Sequence, residues 1–316
     1  MPQVRFSIVV ICYNQREFIR AAVESALAQN RNLREIIVVD DGSTDGSREI
    51  LEEYAGAIQL LRPPKNCGAI AARNQGAAQA RGQYLVFLDG DDLLMPWALD
   101  AYERIIVERQ PKILLARMQR FSGAVPPVET PSAIEFVDYE YLLAKDRQIG
   151  LFASGFVVER QAFEDVGGWT PGIFHMDLQD IYSKLGYNGK MALITSPATA
   201  YYRVHASNSI HNYAPFIQMQ YRLMAKERRG EYPGGKRRYE RRAWLGGQVM
   251  FCMKRAVHGR FYKDMVRLVA TGGPMILALL VRKLEIKIKG HRPVETLAFP
   301  FQPSSPARQE QEVCNH

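Results

Sequence analysis

The chain has 316 residues, 47% of them hydrophobic and 23% charged, a balance that fits about two folded domains and excludes a wholly disordered chain. Its formal net charge of +8 is unevenly placed: residues 213–292 hold 19 basic and 5 acidic side chains, against 22 basic and 28 acidic elsewhere. An acidic body with a basic attachment predicts an anionic partner: a membrane surface, a nucleic acid or a phosphorylated substrate.

The longest strongly apolar stretch, Pro274–Val281, falls far short of the ~20 residues a spanning helix needs. The N-terminal apolar run is brief and ends in polar residues, so neither a membrane span nor a signal peptide is expected. Cys12, Cys67, Cys252 and Cys314 form no CxxC pair and have no zinc-ligand spacing with histidines. Reduced thiols in a reducing compartment are expected.

Phe6–Cys12 (FSIVVIC) is a β-branched run suited to a strand buried on both faces. Residues 17–29 put Phe18, Ala22, Val23, Ala26 and Leu27 on one helical stripe. A second buried strand, Glu35–Val39, ends at Asp40 and Asp41, and a helix is expected over Asp45–Tyr54. Ala57–Leu61 reads as a third strand, Gly68–Ala80 as a small-residue helix able to pack closely, and Tyr84–Leu88 as a fourth strand ending at Asp89. This alternation predicts an α/β fold with an open, mainly parallel sheet covered by helices. Further elements are expected at Trp97–Arg109 (helix), Ile113–Met118 and Gly150–Val158 (strands), Arg160–Val166 and Asp177–Leu185 (helices) and Ala200–Val204 (edge strand). From Ala214 the pattern turns helical and basic, with breaks at Gly230–Gly235 and Gly272–Pro274 and a loose Pro-rich tail from Arg292. The organisation expected is a nucleotide-binding domain over residues 1–212 and a basic helical region over 213–316.

Ligands of such sheets bind outside the carboxyl ends of the strands. Asp40/Asp41 and Asp89/Asp91/Asp92 both follow strand ends, so they should converge on one cleft. Clustered carboxylates repel unless a cation lies between them. Two carboxylates at i and i+2 on a turn can face Mg²⁺ or Mn²⁺, which prefer oxygen ligands and retain water and substrate phosphates.

The ordered segments SIVVICYNQREFIRAAVESALAQ, EIIVVDDGSTDGS and NCGAIAARNQGAAQARGQYLVFLDGDDLLMP resemble the family 2 glycosyltransferases, which have a GT-A nucleotide-sugar-binding fold. The likeness is dense over residues 5–97, continues through GGW (167–169) and YYRVHASNS (201–209), and fades after about residue 212. It implies transfer of a sugar from a nucleotide-diphospho-sugar, with UDP favoured, to a glycan or lipid-linked acceptor, with inversion at the anomeric carbon. By that resemblance Tyr13 and Asn14 wall the nucleotide, and Asp40 and Asp41 hold base and ribose. Arg73 and Asn74 lie beside the base or phosphates. Asp89 and Asp91 form the DxD pair, with Asp91 the better candidate for direct contact with a Mn²⁺ or Mg²⁺ cofactor. Asp92 acts through water or contacts the sugar, and Arg203 and His205 lie near the diphosphate.

The base is where the chain departs from the family pattern. An ED doublet is often found after the GG-aromatic turn, whereas this chain reads His175-Met176-Asp177-Leu178-Gln179-Asp180. Asp180 and Asp177 are the alternatives, with Asp180 placed first; a third reading is that neither serves. The basic region alternates apolar and basic residues in helical blocks, which predicts peripheral contact with an anionic membrane on its cytoplasmic face. An ordinary helical subdomain is the competing reading. Nucleic acid is not expected, because no reader motif is present. A non-catalytic sugar-nucleotide scaffold is the main alternative to an enzyme. A nucleotidyltransferase or a dehydrogenase would need a Gly-rich loop after the first strand, where CYNQREF stands.

Overall fold

A computed structural model describes residues 6–128, 130–146, 153–205, 214–235 and 238–298. Its centre is a nine-stranded sheet. One half is built from β1 (Phe6–Cys12), β2 (Arg34–Asp40), β3 (Gln59–Leu61) and β4 (Tyr84–Asp89), in the order β3-β2-β1-β4 and all parallel. β1 is buried at every position because helices cover both faces. α1 (Ile19–Leu27) seats Ile19, Ala22, Val23 and Ala26 in the core. α3 (Ala69–Gln79) lies on the sheet through Gly76, where a Cβ would stand 2.3 Å from Val9 Cγ1. The expected small-residue contact is therefore real, and only glycine permits it.

The other half holds β6 (Ile113–Ala116), β8 (Ala133–Tyr139), β9 (Phe156–Glu159), β10 (Met191–Ser196) and β12 (Glu295–Ala298), giving the full order β12-β8-β10-β6-β9-β4-β1-β2-β3. β9 runs antiparallel between β4 and β6, and β8 antiparallel between β10 and β12. The mainly parallel sheet agrees with the sequence expectation. A three-stranded sheet of β5 (Leu93–Leu94), β7 (Met118–Phe121) and β11 (Ala200–Arg203) backs the turn after β4.

Three long helices follow: α7 (Ala214–Arg229), α8 (Arg238–His258) and α9 (Tyr262–Lys289). They share a core of Leu223, Met224, Leu245, Val249, Cys252 and Leu268, to which Ile173 and Met176 contribute from the first region. The expected division at residues 212/213 lies outside the described residues.

Three expectations need correction. Gly272–Pro274 does not break the chain, since α9 runs through it. Gly272 lets the helix approach Val249, whose Cγ1 would lie 2.7 Å from a Cβ there, and Gly246 of α8 sits against the Met275 carbonyl in the same way. Pro274 is on the exposed side, so its ring meets solvent rather than a packed neighbour. The tail is not loose throughout, because Glu295–Ala298 pairs with β8 as an edge strand. Finally, the 28-residue α9 is long and apolar enough to cross a membrane by length and composition alone.

Candidate functional site

Parallel register brings the acidic strand ends together. Cys12 lies beside Asp40, and Ile11 lies beside Asp89. The loops leaving β1, β2 and β4 thus open on one cleft of about 620 Å³, lined by Tyr13, Asn14, Asp41, Arg73, Asp89, Asp91 and His205 among others. Of the five acids expected to converge, Asp41, Asp89 and Asp91 line this cleft, and Asp40 and Asp92 do not.

The cleft's outer wall is organised by backbone donors. Asn14 has a left-handed φ of 52°; its N–H donates to Ser43 Oγ and its Oδ1 accepts from the Thr44 N–H. Tyr13 next to it is half exposed, free to stack on a planar ligand. Asp41 accepts from the N–H groups of Cys67 and Gly68 at 2.8 and 2.7 Å, which fixes the loop before α3 against the cleft. Asp40 does not face the cleft. It is fully buried, accepts from the Ser43 N–H and pairs with Arg48 at 3.2 Å, so it shapes the turn after β2.

The Asp89-Gly90-Asp91-Asp92 turn separates its three carboxylates. Asp89 pairs with Arg73 at 2.7 Å. Asp91 meets His205 Nε2 at 2.9 Å, and that ring packs on Phe18 with centroids 4.7 Å apart. Burial, reinforced by the Asp89 charge, holds the Asp91 carboxyl above its ordinary range, against the pull of His205. Asp92 is buried to 1% exposure, accepting from Ser154 Oγ and the Arg203 N–H. Burial and then the neighbouring Asp91 and Asp89 raise it well above the usual carboxylate range. Asp92 therefore ties the turn to β11 and does not open on the cleft. Gly90 is required here, since a Cβ would lie 2.2 Å from Gln15 Oε1 and 2.7 Å from the Ile11 carbonyl oxygen.

Arg203 is a clamp in this turn. Its Nε–H donates to the Asp91 carbonyl, and its guanidinium lies 5.0 Å from the Phe18 ring centroid and 4.6 Å from that of Phe121. Asn74 has a similar structural bond pattern, accepting from the Trp169 N–H and donating to the Trp169 carbonyl. It pins the turn after α5 (Arg160–Asp165) onto α3.

The decisive geometry is at α6 (Asp177–Leu185). Arg73, itself buried, donates to Asp89 and, through its other terminal nitrogen, to Asp177 at 2.9 Å, with its guanidinium 5.4 Å from the Trp169 ring centroid. Burial lowers its pKa, but Asp89 and Asp177 together carry it above the ordinary arginine value. Asp177 opens the helix, and its side chain is 18% exposed. Asp180 is 1% exposed and saturated: Lys226 at 2.5 Å, Tyr232 Oη at 2.7 Å and Thr170 Oγ1 all donate to it. It is the anchor by which α7 and the following turn dock on α6, and it has no opening to the cleft.

The structure thus gathers Tyr13, Asn14, Asp41, Arg73, Asp89, Asp91 and His205 at the cleft, with Asp177 joined through Arg73. It places Asp40, Asn74, Asp92, Asp180 and Arg203 in supporting bonds. Gln15, Asn66 and Tyr202 line the cleft and were not expected there, and Phe18, expected on the apolar stripe of the first helix, precedes α1 and lines the cleft as well. Their signal was adjacency alone, in CYNQREF, KNCG and YYR. The oxygens on offer to a cation are those of Asp89 and Asp91, at i and i+2, with the Arg73 guanidinium on the first and the His205 imidazole on the second. Among the described residues no group of three or more His, Cys, Asp or Glu side chains is arranged to hold a metal ion. The chemistry of two carboxylates on one turn is of the kind that suits Mg²⁺ or Mn²⁺, which take oxygen ligands and complete their shell with diphosphate oxygens and water.

Residues 7–166 match glycosyl transferase family 2, and the chain belongs to that family. It is 37% identical over 119 residues to the putative teichuronic acid biosynthesis glycosyltransferase TuaG of Bacillus subtilis, covering 37% of this chain and 44% of that one. It is 38% identical over 90 residues to the cholesterol galactosyltransferase of Borreliella burgdorferi, covering 28% of this chain and 25% of the other. These alignments therefore span less than half the length of either relative. The fold is similar to that of S. aureus TarS 1–349 in complex with UDP-GlcNAc (TM-score 0.60, 18% identity, 91% of this chain and 93% of that one). It is also similar to the Pyrobaculum calidifontis mannosyltransferase PcManGT in complex with GDP-Man and Mn²⁺ (TM-score 0.51, 15% identity, 90% and 88% covered).

Proposed function

We propose that the chain transfers a sugar from a nucleotide-diphospho-sugar, a UDP-sugar first in order, to a glycan or lipid-linked acceptor of the cell envelope, with inversion at the anomeric carbon. The observation that carries this is the Arg73 bridge, which ties the DxD carboxylate Asp89 and the helix-opening carboxylate Asp177 to the same guanidinium. In this reading Tyr13 and Asn14 wall the base, and Asp41 accepts from the nucleoside. Asp91 and Asp89 hold a divalent cation, with His205 orienting Asp91. A divalent cation held by these carboxylates would supply positive charge for the departing diphosphate. Asp177, aimed by Arg73, takes the acceptor hydroxyl proton as that oxygen bonds to the anomeric carbon and the bond to the diphosphate oxygen breaks. The reading puts Asp177 ahead of Asp180 as the base; the three donors around Asp180 support that order. Calorimetric titration with UDP-sugars tests the site: binding should require Mn²⁺ or Mg²⁺ and vanish in Asp91→Ala. Full transfer activity in that variant would remove Asp91 from the site.

The same reading places the chain on the inner membrane face. The outward side of α9 carries Val266, Leu277, Leu280, Val281, Leu284 and Ile288, each at least 42% exposed. Lys263 and Arg267 flank this stripe at one end, Lys283 and Lys287 at the other. The opposite side is packed on α8, which bears Lys254 and Arg255, and this packing supports a helix lying along a surface rather than across it. Sedimentation with anionic vesicles should fall in the pair Leu277→Glu and Leu284→Glu; unchanged sedimentation would sink the membrane contact.

A further inference from the structure

A second cavity, of about 590 Å³, lies between the Leu142–Ala144 turn, α8 and α9, and the transfer reaction leaves it unused. Its floor is apolar: Leu143, Trp244, Phe251, Leu279 and Ile286. Its rim is basic, with Lys145, Arg282, Lys283, Lys287 and His291. The two acids of the lining are already engaged. Asp146 accepts from Tyr139 Oη and the Arg292 N–H, both at 2.6 Å, and faces His291 at 3.5 Å; Glu240 accepts from Tyr141 Oη. Arg282 donates to the Ala144 carbonyl and faces Glu285.

Lys145 differs from the rest of the rim in lying over a ring: its Nζ is 4.5 Å from the Trp244 ring centroid. Among the described residues no ion pair is formed by Lys145, Lys283 or Lys287. Burial alone pushes the Lys145 pKa down to about 8. A cation held over an aromatic face, with no carboxylate partner among the described residues and beside apolar side chains, asks for two chemistries at once. A purely apolar ligand would leave the ammonium desolvated, and a small anion would leave the floor wet.

We propose that this cavity binds one anionic amphiphile, a phosphate-headed lipid whose phosphate meets Lys145 and whose hydrocarbon chain lies on Trp244, Phe251 and Leu279. The inference goes beyond the transfer reaction and stands or falls independently of it. Its ligand is available at the surface that the outward stripe of α9 would contact.

The test uses the full chain and dioctanoyl phosphatidate below its micelle concentration, followed by calorimetry. Brominated-chain phosphatidate is used to quench tryptophan fluorescence. Trp97 and Trp169 are buried elsewhere, at 3% and 0% exposure, so quenching should come from Trp244 and disappear in Trp244→Phe. One equivalent should bind, and Lys145→Met should weaken it at least tenfold, the worth of a charge-assisted hydrogen bond. Gly247→Leu provides a variant safe for folding. It lines the cavity, a Cβ there meets nothing within 4 Å, and leucine favours helix over glycine. It should abolish binding while leaving thermal stability equal or higher. Dioctanoylglycerol and inorganic phosphate should each bind at least tenfold more weakly than the phosphatidate. Equal binding of the glycerol would reduce the site to an apolar crevice, and equal binding of phosphate would reduce it to an anion site; either overturns the proposal. No binding of phosphatidate, or binding unchanged in Gly247→Leu, overturns it as well.

Discussion

Asp180→Asn and Asp177→Asn should separate stability from turnover. Asp180 has 1% side-chain exposure and Lys226 has 16%, so the pair is largely removed from water. Neutralising Asp180 leaves the ammonium facing an amide. Breaking a buried pair from one side costs about 3–5 kcal/mol. The asparagine can still accept from Tyr232 or Thr170, which places the cost near the lower end, about 3 kcal/mol. At about 2–4 °C per kcal/mol for a large domain, the melting midpoint should fall by roughly 6–12 °C. Turnover per folded molecule, measured well below that midpoint, should change less than tenfold, because Asp180 touches no cleft residue. Asp177→Asn should do the opposite. Its side chain is partly exposed and Arg73 keeps Asp89 as a partner, so stability should shift by only about 1 kcal/mol. Loss of a general base should lower kcat by about 10²–10⁴. Differential scanning fluorimetry and a donor-to-acceptor transfer assay read the two effects. An Asp180→Asn protein with an unchanged midpoint and no turnover, beside an active Asp177→Asn, would refute the assignment.

Gly90→Ala should lower stability by about 1–3 kcal/mol and weaken metal-dependent nucleotide binding more than tenfold, because the Ile11 carbonyl at 2.7 Å from the new Cβ cannot yield as a flexible side chain can; calorimetry and a thermal melt check both. Lys145, with its pKa lowered from 10.5 to about 8, holds fewer protons folded than unfolded between those values. Its contribution to stability should therefore rise as pH climbs from about 8 to 10.5 and be lost as pH falls through 8. Lys145→Met should remove that slope from the melting midpoint, and an identical slope in the variant would assign it elsewhere. Asn74→Ala should free the Trp169 turn from α3, raise KM for donor and acceptor, and cost about 1–2 kcal/mol, since it leaves the Trp169 N–H without its acceptor.

The parallel sheet was legible because strands covered on both faces leave a continuous apolar record, as in FSIVVIC, EIIVV and YLVFL. The cleft was legible for the same reason: once those strands are parallel, the acids after them must meet at one edge. The roles within the cleft were less so. Asp177 and Asp180 are three residues apart on one helix, and Thr170 together with Lys226 and Tyr232, some 50 residues further on, encloses Asp180. Arg203 carries the charge that a phosphate ligand needs, yet Phe18 and Phe121 hold it as a clamp. The continuity of α9 across Gly272–Pro274 was hidden because a local rule reads these residues as breakers, while the contact with Val249 uses the missing side chain. The edge strand Glu295–Ala298 depends on a partner, β8, about 160 residues earlier.

The central claim is that the cleft at the ends of β1, β2 and β4 binds and cleaves a nucleotide-sugar with a divalent cation. The most direct measurement is release of nucleoside diphosphate from a panel of UDP-, dTDP- and GDP-sugars, with Mn²⁺, with Mg²⁺ and with chelator, run beside calorimetric binding of the same donors. The account predicts binding and release from at least one donor that depend on metal and are lost in Asp91→Ala. Absence of nucleotide binding for every donor, with and without metal, would contradict it and leave the cleft without a transfer reaction.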